Sequence, residues 1–227
     1  MYRIGTVPYR VAKPLTAGLD EDPQVELVHA CPAKLADMLA NDQLDCALAS
    51  SVLCLGESDF QLWADGPVIA SVGAIKSVLL FLRPGIDSIN DIKIYSADPN
   101  SRTGRALTQI VLKQSKVAAT MIEGDEKNPF ALDVDAVQLI GDPALDASST
   151  HPDWKIIDLG SEWRRLTNLP FVFAGWIFKD QSTFAEIAPL LDLNSDEISD
   201  EYSDSGLTYH LPLKEIELSL QQLAQWI

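Results

Sequence analysis

Short apolar runs alternate with amphipathic segments along this chain. The strand-like runs are four to eight residues long, and several, such as residues 78–82, contain no polar position. Runs of this length are typical of β-strands, and fully apolar runs are typical of strands that helices cover on both faces. We predict strands at residues 2–7, 25–29, 45–49, 68–72, 77–82, 92–95, 134–140 and 171–178.

Helical patterns fill much of the sequence between these strands. We predict helices at residues 14–19, 33–41, 103–116 and 161–166. A last helix near the end of the sequence carries its apolar residues on one face, at Leu213, Ile216, Leu220, Leu223 and Ile227. Strands that alternate with helices in this way indicate an α/β fold.

The spacing of the elements predicts two lobes with a ligand cleft between them. We assign residues 1–82 and 173–227 to the first lobe and residues 83–172 to the second. Proline and glycine end a strand at residues 83–85, and a second proline follows at Pro170. These two crossings between the lobes predict a hinge.

Charge and composition exclude several classes of function. The 227 residues carry a formal charge of −16, which disfavours nucleic acids and anionic membrane surfaces as partners. No apolar run approaches the roughly 18 residues of a membrane helix, and the opening residues already form a strand pattern. Three cysteines without metal-ligand spacing and three scattered histidines predict neither a disulfide scaffold nor a metal site. We therefore expect a cytoplasmic protein whose partner is a small molecule.

The residues around Arg102 form the most informative motif. Ser101, Arg102 and Thr103 join a predicted strand to the start of a helix, where backbone N–H groups lack intrahelical partners. Two hydroxyl groups and a guanidinium at this point predict a site for a carboxylate or phosphate. A cation in the first turn opposes the helix dipole unless an anion compensates it. The alternative is ordinary capping of the helix by Asp98, Asn100 or Ser101.

Two further predicted strands begin after an aspartate and end in small polar residues. These ends are Ser50 and Ser51 in one strand, and Gly141 and Asp142 in the other. Ligands of open α/β sheets bind beyond the carboxyl ends of the strands, so these residues are candidates for a cleft wall. The alternative is that they cap the helices that follow. Among the aromatic residues, Tyr9 is the one we place nearest the cleft.

Seven short motifs follow one another in a recognisable order. They are G-T-V-P-Y-R-V-A-K-P-L at 5–15, L-D-C-A-L-A at 44–49, S-V-L-L-F at 77–81, D-x-x-S-R-T at 98–103, L-I-G-D-P-A-L at 139–145, D-L-G-x-x-W at 158–163 and L-P-F-V-F-A at 169–174. With these motifs the chain resembles the chorismate dehydratase family of the futalosine route to menaquinone. The resemblance implies a type II periplasmic-binding-protein fold, with a mixed, mainly parallel sheet flanked by helices in each lobe.

The resemblance also implies a reaction, the loss of water from chorismate to give 3-[(1-carboxyvinyl)oxy]benzoate, which needs no cofactor. Arg102 with Ser101 and Thr103 would hold one carboxylate of chorismate, and Ser77 would help to place the other. Closure of the lobes would exclude water. The sequence offers no definite general base, and a carboxylate of the substrate itself could take that role.

One position departs from the family pattern in a way that bears on the chemistry. The family has an asparagine in V-P-Y-L-N-A-R-P-L, and this chain has Val11, which neither donates nor accepts a hydrogen bond. The catalytic residue is therefore not assigned. A second hypothesis is a noncatalytic cytoplasmic protein that binds a small cyclic or aromatic carboxylate. A third is the related enzyme that makes 1,4-dihydroxy-6-naphthoate, which the Ser-Arg-Thr motif fits less well.

Overall fold

A computed structural model describes residues 1–56, 58–192 and 206–227, which form an α/β fold with two sheets. The strands of the described residues are β1 (Tyr2–Thr6), β2 (Val25–His29), β3 (Cys46–Ser50), β4 (Gln61–Leu62), β5 (Val68–Ser71), β6 (Val78–Leu82), β7 (Ile94–Ala97), β8 (Thr120–Glu123), β9 (Ala136–Ile140), β10 (Lys155–Asp158), β11 (Phe171–Phe178) and β12 (Leu207–Thr208). The helices of the same residues are α1 (Lys13–Thr16), α2 (Pro32–Ala40), α3 (Arg102–Gln114), α4 (Gly141–Thr150), α5 (Leu159–Thr167), α6 (Gln181–Asp192) and α7 (Leu213–Trp226).

Both sheets mix parallel and antiparallel strands. The first has the order β12-β5-β11-β3-β1-β2, with β4 paired to β11, and the second has the order β10-β6-β9-β7-β8. In the first sheet β1 is parallel to β2 and β3, whereas β11 runs antiparallel to its neighbours β3, β4 and β5. In the second sheet β7 is parallel to β8 and β9, and β6 is antiparallel to β9 and β10. Mixed sheets are confirmed, but a predominance of parallel pairs is not found, because β6 and β11 each enter a sheet antiparallel.

The sheets divide the chain differently from the predicted boundary at residue 82. Strand β6 (Val78–Leu82) pairs with β9 and β10 in the second sheet, so its assignment to the first lobe is wrong. Strand β11 joins the first sheet from Phe171 onward, slightly before the predicted residue 173. A fully apolar strand such as β6 suits the interior of either sheet, and its sequence therefore does not tell which one it joins. Apart from β6, the predicted bounds of the two lobes remain a prediction.

Most strands and helices predicted from the sequence are present, with shifts of a few residues. The predicted strand 92–95 lies two residues late, as β7 (Ile94–Ala97), because the Asp135 carboxylate accepts the N–H groups of Lys93 and Ile94 at the strand's start. Several elements were not predicted from the sequence, namely β8, β10, α4, α6 and the two-residue strands β4 and β12. Strand β8 is a mostly exposed edge strand, and such strands lack the continuous apolar run that marks a buried one.

The helices bury apolar faces against the sheets. Helix α3 buries Leu107, Ile110 and Val111 in a core that also contains residues of the first sheet. The Trp163 indole of α5 packs edge-on against Phe171 and donates a hydrogen bond of 3.0 Å to the Pro170 carbonyl. This contact fixes the point where the chain returns to the first sheet. Within the described residues, no helix is both long and apolar enough to cross a membrane.

Candidate functional site

A cleft opens between elements of the two sheets. From the first sheet, β3 contributes Leu48, β5 contributes Ile69 and β11 contributes Phe173 to its walls, and the start of α3 closes the other side with Arg102. Its empty volume, including space open to solvent at the mouth, is about 590 Å³. Volumes of roughly 300–1,000 Å³ are typical of small-molecule sites. The walls are mainly apolar, and a ring-shaped ligand of modest size fits their chemistry.

The sequence explains how Ser101 comes to lie at this cleft. Ser101 precedes α3 in extended conformation, and its Oγ accepts the Gly104 N–H at 2.8 Å, so it caps the helix. The same residue also lines the cleft. The capping alternative is thus confirmed for Ser101, but it does not remove the residue from the candidate site. The cap turns the first residues of α3, Arg102 and Thr103, toward the cleft.

Two hydroxyl groups of the predicted site are hydrogen-bonded to one another. Ser50 ends β3 in the first sheet, Thr103 is the second residue of α3 beside the second sheet, and their hydroxyl oxygens form a short buried hydrogen bond. Thr103 Oγ1 also donates to the carbonyl oxygen of Phe173 at 3.2 Å. With that donor used, the proton between the two hydroxyls comes from Ser50. Both residues line the cleft, but their hydroxyl hydrogens are engaged within the protein and are not free for a ligand.

Arg102 is the only charged residue among the described residues that line the cleft. Its Nη2 lies 2.9 Å from Oδ1 of Asp37 in α2, and the two side chains are 47% and 68% exposed. The guanidinium is therefore at the mouth of the cleft, paired with a carboxylate on the opposite side. Because the pair is exposed to water, a carboxylate from a ligand can compete with Asp37 for this cation.

Ser77, Tyr9 and Gly141 lie close together in the lining of the cleft. Ser77 is 8% exposed and lines the cleft, and within the described residues its hydroxyl has no hydrogen-bond partner. Its carbonyl accepts the Gly141 N–H at 2.7 Å. Gly141 has a φ of +63°, and a Cβ there would lie only 2.9 Å from ring atoms of Tyr9. Burial, with the nearby Asp98 carboxylate, raises the pKa of the Tyr9 phenol, which stays protonated at neutral pH.

Asp142 does not line the cleft, contrary to its place in the predicted site. Helix α4 begins at Gly141, directly after β9, and this turn sets Asp142 beside Arg10. The Asp142 Oδ1 accepts the Arg10 backbone N–H at 3.2 Å and pairs with Arg10 Nε at 3.2 Å. Nor does this carboxylate cap α4. Of the predicted binding residues, Tyr9, Ser50, Ser77, Ser101, Arg102 and Thr103 do line the cleft.

The position of the family asparagine also faces the cleft. Val11 lines it with a half-buried apolar side chain, while the Val11 carbonyl accepts a hydrogen bond of 2.9 Å from the Tyr209 hydroxyl. The backbone at this point is therefore held in place although the polar side chain of the family pattern is absent. The substitution removes a donor and an acceptor from the wall of the cleft.

Asp98, which was predicted as a possible helix cap and heads the D-x-x-S-R-T motif, is buried. Its two carboxylate oxygens accept the N–H groups of Asn100 at 2.9 Å and Ile140 at 3.2 Å. It thereby joins the loop before α3 to the end of β9, two walls of the cleft. Burial raises the pKa of the Asp98 carboxyl. Its place at the head of the D-x-x-S-R-T motif was the signal that could have identified it.

Apolar wall residues were also missed, among them Ile69, Ile75 and Phe173. Their sequence surroundings are those of ordinary core residues, so no local signal separates them from the core. As for metals, the described residues contain no group of three or more histidine, cysteine, aspartate or glutamate side chains that could hold an ion.

Comparison with solved structures defines the class of fold. A crystal structure of a protein from Archaeoglobus fulgidus matches with a TM-score of 0.67 and 14% identity, covering 99% of this chain and 96% of that one. The periplasmic aliphatic sulphonate binding protein of Escherichia coli matches with a TM-score of 0.67 and 13% identity, covering 99% of this chain and 85% of that one. The chain thus has the two-lobed periplasmic-binding-protein fold, with its cleft between the two sheets.

Comparison of the sequence with known families identifies a family within this class of fold. Residues 2–205 match the family described as menaquinone biosynthesis, and the chain belongs to that family. A curated relative, the chorismate dehydratase of Thermus thermophilus, is 25% identical over an alignment of 171 residues that covers 69% of this chain. The match spans 62% of the length of that relative.

Proposed function

We propose that this protein is a hydro-lyase that dehydrates chorismate to 3-[(1-carboxyvinyl)oxy]benzoate. Membership of the menaquinone biosynthesis family and the similarity to a chorismate dehydratase support a reaction of this kind. The observation that carries the proposal is the cleft itself, where Arg102 is the single charged residue in an otherwise mainly apolar lining of described residues. Such a lining suits a ring that carries a carboxylate.

In this proposal the two ends of the cleft bind different parts of chorismate. Arg102 takes one carboxylate in exchange for Asp37, which supplies a charge-assisted hydrogen bond. The Ser77 hydroxyl, which has no partner among the described residues, donates to the other carboxylate. The apolar walls at Leu48 and Phe173 contact the ring and exclude water from it.

The chemistry requires a proton acceptor, which the described lining does not supply. Its Arg102 side chain has no acceptor atom, and burial raises the pKa of the Tyr9 phenol, which therefore keeps its proton at neutral pH. The ring C3 proton therefore passes to a carboxylate of the substrate, and the C–H electron pair forms the new ring double bond. The C4–O bond breaks at the same time, and the leaving hydroxyl takes the proton back from the substrate carboxyl group and departs as water. The protein contributes orientation and a dry environment.

Incubation of the full chain with chorismate tests the proposal. Mass spectrometry follows the loss of one water, and nuclear magnetic resonance identifies the aromatic product. We expect product to accumulate with the wild-type chain and to be greatly reduced with Arg102→Ala. Chorismate that is unchanged beyond the rate without protein would contradict the dehydratase proposal.

A second candidate function is noncatalytic binding of an aromatic or cyclic carboxylate. The apolar Val11 favours it, together with the Ser50 and Thr103 hydroxyls that are engaged with each other. Calorimetric titration with chorismate separates the two functions, since binding without product formation supports the second. If Val11 alone limits the chemistry, Val11→Asn raises turnover, whereas Val11→Leu, which keeps the wall apolar, does not.

We also propose a cytoplasmic location. The three cysteines, Cys31, Cys46 and Cys54, are all free thiols. Free thiols are typical of proteins in reducing compartments.

A further inference from the structure

An ion pair at the mouth of the cleft joins elements that belong to different sheets. Asp37 lies in α2, which packs on β1 and β3 of the first sheet, and Arg102 begins α3, which packs on β9 of the second. The Arg102 Nη2 and Asp37 Oδ1 atoms are 2.9 Å apart. Arg102 lines the cleft, whereas Asp37 is not part of the lining. The aspartate therefore holds the guanidinium at the outer edge of the site.

The pair is exposed, and this decides how it behaves when a ligand arrives. With 47% and 68% of the two side chains exposed, water and salt weaken the attraction between them. A ligand carboxylate on the inner side of Arg102 has the apolar walls of the cleft around it, where a charge-assisted hydrogen bond is stronger. The ligand can therefore replace Asp37, but it must give up part of its binding free energy to do so.

We infer that Asp37 is a positioning residue that competes with the carboxylate of the ligand for Arg102 and thereby sets the affinity of the site for anions. The inference rests on the proposed function, because it takes a carboxylate bound at Arg102. The effect of Asp37 on binding therefore depends on the charge of the ligand. A ligand that carries a carboxylate has to displace Asp37, whereas a neutral ligand of the same shape does not.

The variant Asp37→Asn tests this inference with two probes of matched shape, benzoate and benzamide. Titrations of the full chain are followed by nuclear magnetic resonance. We expect Asp37→Asn to bind benzoate about two- to fivefold more tightly, the range of an exposed ion pair, and to bind benzamide as the wild-type chain does. In an Arg102→Ala background, Asp37→Asn should have no effect on benzoate.

Asp42→Asn is the matched control. Asp42 forms another exposed ion pair, with Oδ1 2.8 Å from Lys179 Nζ, and does not line the cleft. Its replacement removes the same single negative charge from a chain of charge −16, so it measures the general effect of charge on anion binding. We expect this control to change benzoate affinity much less than Asp37→Asn does.

The outcomes separate the inference from the proposed function. Equal benzoate affinities of Asp37→Asn and Asp42→Asn, or a gain for benzamide as large as that for benzoate, would overturn the inference. If Arg102→Ala still weakens benzoate in that case, the proposed carboxylate site stands. A wild-type chain that does not bind benzoate, or binds it equally well without Arg102, contradicts both.

Discussion

Polar contacts between the two sides of the cleft occur in a buried region and in an exposed one. The buried contacts are the hydroxyl pair of Ser50 and Thr103, both less than a tenth exposed, and the hydrogen bond from Thr103 to the Phe173 carbonyl. The exposed contacts are the ion pairs of Arg10 with Asp142 and of Arg102 with Asp37. Hydrogen bonds in a dry interior are costly to break without replacement, whereas exposed ion pairs exchange partners readily.

The difference in burial separates a structural role from a ligand-binding role, and a sequence motif alone does not distinguish these two roles. Thr103 and Arg102 are neighbours in one motif, yet Thr103 joins the two sides of the cleft and Arg102 presents an exchangeable charge. We therefore expect changes in the buried region to lower stability, and the change at Arg102 to lower binding of carboxylates.

Arg102→Ala is the substitution with the largest expected effect. It removes the only charge in the described lining, and loss of a charge-assisted hydrogen bond costs about 1.5–3 kcal/mol of binding free energy. Calorimetry should show benzoate or chorismate bound roughly 10- to 150-fold more weakly. Urea denaturation should show little change in stability, because the ion pair with Asp37 is exposed. A fall in stability with unchanged affinity would reverse the roles assigned to the two regions.

Thr103→Val tests the buried region with a side chain of nearly the same shape. It leaves the Ser50 hydroxyl and the Phe173 carbonyl without this partner, and a buried group without its partner costs about 1–3 kcal/mol. The free energy of unfolding, measured in urea, should fall by that amount. Thr150→Val is the control, since Thr150 is exposed at the end of α4. Equal stabilities of the two variants would mean that the hydroxyl pair contributes nothing to the fold.

Much of the buried region could be predicted from the sequence. A helix near residue 103, a serine at its start and an apolar strand that ends in Ser50 all follow local rules of capping and burial. The motif resemblance supplied Ser77 as well. Local rules failed for β6, since a fully apolar strand fits the middle of either sheet.

The exposed region could not be predicted, for a physical reason. Asp37 lies 65 positions before Arg102, and Asp142 lies 132 positions after Arg10. The chain has 33 acidic residues, and no periodic pattern tells which of them meets a given arginine. Such pairs depend on how whole elements pack, so only the three-dimensional structure identifies them.

The substitution Asp98→Asn tests the buried region through the pH dependence of the free energy of unfolding. Burial raises the pKa of Asp98 above its ordinary value of 3.8 in the folded chain, so the folded state holds this proton more tightly than the unfolded state does. The contribution of Asp98 to stability is therefore greatest below pH 3.8 and declines as pH rises through the raised pKa. The unfolding free energy of the wild type minus that of Asp98→Asn should therefore fall as the pH rises over this range. A difference that grows with pH would contradict the assigned direction of the pKa shift.

Asp98→Asn also weakens one hydrogen bond, because an amide offers one acceptor oxygen where the carboxylate offers two. Asn100 and Ile140 both donate to Asp98 in the folded chain. At neutral pH this loss, about 1 kcal/mol, partly offsets the gain from removing a buried charge. The pH dependence, rather than the stability at one pH, is therefore the decisive measurement.

Arg10→Ala should have the smallest effect and is the sharpest check on the exposed region. Arg10 pairs with Asp142 and Asp146 much as Arg102 pairs with Asp37, but it does not line the cleft. If only cations that line the cleft bind the ligand, Arg10→Ala leaves benzoate affinity unchanged. Its stability should match that of Arg165→Ala, which removes an exposed ion pair within one helix. If Arg10→Ala instead weakens benzoate binding as much as Arg102→Ala does, Arg10 also belongs to the anion site. An exposed arginine would then bind the ligand whether or not it lines the cleft.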